Sequence, residues 1–192
     1  MIGLFFGSFN PIHLGHTRLA QYILQHTDLE QIWLVISPNN PLKSPDELMP
    51  EDLRFRLAQM ALAHVPGIIP CDREFTMSKP NYTVNTLRAL TKEHPDDKFS
   101  LIMGSDNMAI FDKWREHDFI LSHYPILVYP RNGDDMDKIR LRYPMVQIID
   151  APLLPISATQ IRQRLRDGLP VSDWLHPDVY AYLTAAPRLQ KR

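Results

Sequence analysis

Ile2-Gly-Leu-Phe-Phe6 runs without a charge into Gly7-Ser-Phe-Asn-Pro-Ile-His-Leu-Gly-His16, and Leu14 to Gln25 then carries Leu19, Ala20, Ile23 and Leu24 on one helical face. The order is a buried strand, a glycine turn and an amphipathic helix, the repeating unit of open parallel sheets. Ligands of such sheets bind at the carboxyl ends of the strands. Gly7 lets the backbone turn closely, and Gly15 lets another group approach the start of the helix. The helix N-terminus offers free N–H groups and a partial positive charge to a phosphate. His13 and His16 are spaced to share one face of the first turn. Two imidazoles there can hydrogen-bond phosphate oxygens, more strongly when protonated. The competing readings are a structural histidine or a pair of metal ligands. No third ligand stands nearby, and the Glu of a zinc-protease motif is missing. The stretch is neither the Gly-x-Gly-x-x-Gly dinucleotide fingerprint nor a Walker A loop, which needs Gly-Lys-Ser/Thr.

Outward from this unit the alternation continues. Ile32–Ile36, Ile68-Ile69, Phe99–Met103, Ile126–Tyr129 and Val146–Ile149 read as further strands. Between them, Glu51 to His64 and Val84 to His94 read as helices, and Met108 to Leu121 as a helical stretch broken near Trp114. The strands are nearly continuous in apolar residues, as expected when helices cover both faces of a sheet. After Ile149 the pattern changes to two closing helices, Thr159 to Arg166 and Pro177 to Thr184. The expected organisation is one domain over residues 1–192, with an α/β core over 1–150 and a helical part over 151–192. Prolines gather in loops such as Ser37-Pro-Asn-Asn-Pro41, and ordered loops of this kind carry binding sites.

The chain has 192 residues, 44% hydrophobic and 22% charged, with a formal net charge of −1. That balance argues against disorder, and the lack of a basic cluster before Arg188-Leu-Gln-Lys-Arg192 argues against a nucleic-acid partner. Cys71 is the sole cysteine, so no internal disulfide can form, and a cysteine zinc site is not expected. No apolar run reaches the ~18 residues of a membrane span, and Met1 to Gly7 lacks the marks of a signal peptide. The expected location is cytoplasmic, without a membrane partner. A homo-oligomer is compatible with the sequence.

A second motif, Pro155-Ile-Ser-Ala-Thr-Gln-Ile-Arg162, follows the last strand. Ser157 with Gln160 three positions later is a capping box and marks a helix start. Ser157 and Arg162 can be a plain cap and a surface charge. The same geometry can also aim N–H groups and a hydroxyl at an anion, with Arg162 pairing a β- or γ-phosphate.

The two motifs together, Gly7-x-Phe-x-Pro-x-His-x-Gly-His16 and Ile156-Ser-x-Thr-x-Ile-Arg162, resemble those of the nucleotidyltransferase superfamily related to class I aminoacyl-tRNA synthetases. Pro41-Leu-Lys43, Asn81-Tyr-Thr-Val-Asn-Thr-Leu87, Met103-Gly-Ser-Asp-Asn-Met108 with Trp114, and Leu175-His-Pro-Asp-Val179 narrow the resemblance. Over nearly the whole chain it is similar to the bacterial nicotinate-nucleotide adenylyltransferases. Asn10, Leu42, Asn85 and Arg115 stand where that family usually has Asp, His, Asp and Tyr.

The resemblance implies a Rossmann-like, doubly wound parallel sheet with a short C-terminal helical region. It also implies ATP and nicotinate mononucleotide as substrates, and Mg²⁺ carried by the ATP phosphates. Catalysis would fall to His13, His16 and Arg162. ATP would be bound by these and by Gly7, Ser8, Phe9, Gly104, Asp106, Ile156, Ser157 and Thr159. The mononucleotide would be bound by Asn39, Lys43, Tyr82, Thr83 and Trp114. Asp106 reads equally as a ribose-hydroxyl partner or a helix cap. Nicotinamide mononucleotide and phosphopantetheine are the alternative acceptors, and a non-catalytic nucleotide-binding regulator is the rival from another class. A phosphopantetheine enzyme commonly has Thr at the place of His13 and lacks the Tyr-Thr-Val segment.

Overall fold

The computed structural model describes residues 1–38, 48–131, 133, 135–152 and 155–185. Six strands form one sheet: β1 Ile2–Gly7, β2 Gln31–Ile36, β3 Ile68–Cys71, β4 Phe99–Gly104, β5 Ile126–Tyr129 and β6 Gln147–Ile148. Every pairing is parallel, in the order β3-β2-β1-β4-β5-β6. The chain steps outward from β1 in one direction, then returns to its other side at β4. That reversal is the topological switch point of a doubly wound sheet, where loops on either side diverge and leave a crevice.

The alternation of side chains along each strand feeds two cores. Phe5, Ile32, Leu34, Ile36, Ile102, Leu127 and Tyr129 face one side. There they meet Ala20 and Ile23 of helix α1 (Leu14–Gln25) and Leu57, Ala58 and Ala61 of α2 (Glu51–Leu62). Leu4, Val35, Leu101, Met103, Ile126 and Val128 face the other side. They meet α3 (Thr83–Glu93), α4 (Ser105–Ala109), α5 (His117–His123) and α6 (Met136–Arg142). The closing helices α7 (Ala158–Arg166) and α8 (Pro177–Ala185) join the first face, where Ile161, Val171, Leu175, Val179 and Leu183 share the α1–α2 core.

The expected break near Trp114 is present. The stretch is two helices joined by a 3-10 turn over Phe111–Lys113, and Glu116, at φ 52°, turns the chain into α5. Helix α6 lies between β5 and β6, where the sequence reading placed no helix. Its start is fixed by Asp135, whose side chain accepts the N–H groups of Asp137 and Lys138. Among the described residues no helix is long and apolar enough to cross a membrane.

Candidate active site

A cleft of about 490 Å³ opens at the carboxyl edge of the sheet, between the ends of β1, β4 and β5 and the starts of α1 and α7. Its floor is the turn after β1. Phe9 holds a positive φ of 41°, which a bulky residue seldom adopts. The Phe9 ring is buried edge-on against both Phe5, with centroids 5.8 Å apart, and the His16 imidazole, 4.9 Å away. Phe9 therefore supports His16 from below as well as lining the cleft.

His13 is the N-cap of α1, and its ring stacks on that of His16 with centroids 3.7 Å apart. The His13 backbone N–H donates to His16 Nδ1 at 3.3 Å. An acceptor at Nδ1 places the proton on Nε2, so His16 presents an N–H donor while neutral. Burial pushes the His13 pKa down to about 4, with a smaller push from the Arg131 guanidinium. His13 is therefore a neutral imidazole at neutral pH, without the extra attraction expected of a protonated one. Its Nδ1 is buried with no hydrogen-bond partner among the described residues, an arrangement that costs free energy and calls for a ligand or a functional reason. A methyl at Gly15 would lie 2.9 Å from the His13 ring and 3.5 Å from Ile156 Cβ. Gly15 thus makes room for the imidazole and brings the first motif against the second.

The second motif builds the opposite wall. Ser157 is the N-cap of α7: its Oγ accepts the Gln160 N–H at 3.2 Å and donates to Gln160 Oε1 at 3.0 Å. Pro152, Ile156, Ser157 and Thr159 line the cleft beside the α7 N-terminus. Arg162 lies behind them, 9% exposed and outside the cleft lining. Its Nη1 donates to the Asn10 carbonyl at 2.9 Å, and Nη2 approaches Thr159 Oγ1 at 3.5 Å. Asn10 also accepts the Met49 N–H on its side chain at 3.0 Å.

On the β4–β5 side, Asp106 stands in the first turn of α4, whose N-cap is Gly104 without a side-chain cap bond. The cap reading of Asp106 is therefore not what the fold uses. Its carboxylate faces the cleft and lies 3.7 Å from Arg131 Nε. Gly104 itself stands just behind the lining.

Tyr82, Thr83 and Trp114 lie outside this cleft, around the start of α3, which is also at the carboxyl edge. Tyr82 is the exposed N-cap of α3, and the Arg115 guanidinium stacks on its ring at 4.8 Å. Trp114 is half-buried against Phe111, with centroids 5.5 Å apart. Asn39, Leu42 and Lys43 fall outside the described residues.

Two cations of the region were not expected. Arg131, just past β5, lines the cleft, and the rule that ligands meet strand carboxyl ends could have flagged it. Arg54, near the start of α2, is 1% exposed and ties several loops together. In the sequence it is one more charge in a helical stripe, and no local signal marks it.

Residues 4–164 match the family model described as cytidylyltransferase-like. Over 178 residues the chain is 44% identical to the probable nicotinate-nucleotide adenylyltransferase of Bacteroides fragilis, covering 93% of this chain and 88% of that one. It is 42% identical to the protein of the same name from Flavobacterium psychrophilum, covering 95% of each. The fold is similar to that of the Plasmodium falciparum nicotinic acid mononucleotide adenylyltransferase solved with NaAD. The TM-score is 0.81, at 21% identity over 100% of this chain and 98% of that one.

Proposed function

The chain belongs to the nicotinate-nucleotide adenylyltransferase family of cytidylyltransferase-like proteins, and we propose that it transfers the AMP part of ATP to nicotinate mononucleotide. The observation that carries this reading is the stacked His13–His16 pair, facing a capped helix N-terminus across one cleft, with His13 Nδ1 buried and without a hydrogen-bond partner among the described residues.

A phosphate oxygen of the mononucleotide attacks the α-phosphorus of ATP. The bond from that phosphorus to the bridging oxygen breaks, and pyrophosphate leaves with the electron pair, giving deamido-NAD. The nucleophile is already an anion at neutral pH, so no strong base is needed. Positioning and charge stabilisation do the work. His16, through Nε2–H, and His13 donate to the oxygens on which charge accumulates. The α7 N-terminus with Ser157 and Thr159 receives the β- and γ-phosphates, as helix N-termini do. Arg162 adds charge from behind that helix start, and Arg131 from the β5 side. Asp106 takes a ribose hydroxyl. On the family resemblance, Tyr82, Thr83 and Trp114 receive the pyridine ring, Lys43 bridges the phosphates of the two substrates, and Asn39 binds the mononucleotide.

The cleft does not suit a resident divalent cation. Among the described residues, Asp106 is the one carboxylate in its lining and lies 3.7 Å from the Arg131 guanidinium, and no cluster of metal-binding side chains occurs. Mg²⁺ enters as part of the MgATP substrate, coordinated by phosphate oxygens and water.

The test is pyrophosphate release with MgATP and, in parallel, nicotinate mononucleotide, nicotinamide mononucleotide and phosphopantetheine. Nicotinate mononucleotide is expected to give the highest kcat/KM, and His16→Ala to lower kcat by about a hundredfold or more with the melting temperature retained. Turnover with phosphopantetheine alone would overturn the reading. Silence with all three would favour a nucleotide-binding regulator.

A further inference from the structure

Arg54 is a buried cation that the reaction scheme above does not use. Among the described residues, each of its four side-chain hydrogen bonds ends on a main-chain carbonyl. Nη1 donates to Ser8 at 2.7 Å and Ser37 at 2.8 Å, Nη2 to Pro38 at 3.0 Å, and Nε to Met49 at 2.9 Å. The other buried positions of α2 are Leu57, Ala58, Ala61 and Leu62. A guanidinium among them is costly to desolvate, and burial pulls its pKa down. What this cation gains in return is the convergence of three chain segments, the turns after β1 and β2 and the lead into α2.

The Ser8 contact has a directional consequence. Ser8 C=O and Phe9 N–H belong to one planar trans peptide, so they point in opposite directions. With the carbonyl held by Arg54 in the interior, the Phe9 N–H is turned away from α2. Ser8 and Phe9 both line the cleft beside His13 and His16. Local preference does not set this peptide: Phe9 sits at φ 41°, a conformation that persists only when surrounding structure enforces it. Arg54 restrains that turn from α2, and its Nη1–O distance to Ser8 is the shortest of these bonds.

The same cation reaches the second motif. Met49 gives its carbonyl to Arg54 and its N–H to Asn10 Oδ1, and the Asn10 carbonyl receives Arg162 Nη1. Lys could not replace this function, because its ammonium is a compact point charge without a planar fork.

We propose that Arg54 is a positioning residue for adenylyl transfer, fixing the Ser8–Phe9 peptide so that the Phe9 N–H donates to the reacting phosphate. The proposal rests on the reading of the cleft as the transfer site.

The experiment compares wild type, Arg54→Lys and Arg54→Ala for kcat and KM with MgATP and nicotinate mononucleotide, alongside thermal melting. Arg54→Lys is expected to stay folded at the assay temperature and to lose about tenfold or more in kcat, with KM for both substrates changed far less. Arg54→Ala is expected to recover part of its kcat on adding guanidinium at concentrations that leave the wild-type rate unchanged. A folded Arg54→Lys with wild-type kcat overturns the proposal. So does a folded Arg54→Ala that guanidinium does not rescue, or an Arg54→Lys that cannot fold, which would make the residue purely structural. A wild type silent toward nicotinate mononucleotide would instead bring down the reading of the cleft, and this proposal with it.

Discussion

His13 shows what a single residue type can and cannot disclose. Its place at the start of a helix, with His16 one turn on, is visible as His-x-x-His after a glycine turn. Its burial (5% exposed) is not, because the spacing of two histidines says nothing of what packs around them. The consequence is a pH dependence of stability. The folded-state pKa is about 4 and the ordinary value 6.5, so between those values the unfolded chain takes up a proton that the folded chain does not. Stability at His13 is therefore complete above pH 6.5 and falls as the pH drops toward 4. The loss is on the order of 3 kcal/mol from this one group. Urea midpoints measured from neutral pH to pH 4 should fall more steeply for wild type than for His13→Gln; parallel slopes would mean that His13 is not held neutral. Arg54 and Arg131 were less legible still. An arginine's partners here are carbonyls and a cleft assembled by topology, and neither leaves a trace in the residues beside it.

Among the elements, α7 was read correctly because its start carries its own chemistry. Ser157 and Gln160 stand at the spacing of a capping box, although the Gln160 side chain receives the Ser157 hydroxyl proton rather than reaching the Ser157 N–H. The same side chain serves the helix and the cleft, and substitution can separate the two roles. Ser157→Ala should cost about 1 kcal/mol of stability through the lost cap. Ser157→Asp should keep the cap and the stability, since Asp caps as well as Ser, yet raise KM for ATP by placing a negative charge beside its phosphates. Melting curves and ATP kinetics on both variants check this; equal KM values would show that the α7 start does not meet the triphosphate. Helix α6 escaped the sequence reading for the opposite reason. Seven residues, Met136–Arg142, are too few to display a period, and only Ile139 is buried. Its cap, Asp135, was the one available sign. The break around Trp114 was legible because the apolar period itself fails there.

For the molecule as a whole, alternation of strands and helices sufficed to foresee a parallel sheet, and the two end motifs singled out in the sequence line one cleft at its carboxyl edge. The strand order was not legible, because pairing partners are chosen by the packing of whole layers. That order brings residue 10 against residue 162. It also makes the closing helices part of the main core, since Ile161, Leu175, Val179 and Leu183 pack with the α1–α2 side chains. We infer that residues 1–150 do not form an independent unit. A fragment ending at 150 should lack a cooperative melting transition and bind a hydrophobic dye, whereas a sharp transition would define a separate domain. The hydrogen bond from Arg162 to Asn10, which spans 152 positions, has a further meaning in time. On the ribosome the β1–α1 unit is made 152 positions ahead of its partner, which follows seconds later at roughly 5–20 residues per second. A nascent chain carries the histidine pair long before it can close a nucleotide site, so ATP is not captured by an unfinished protein.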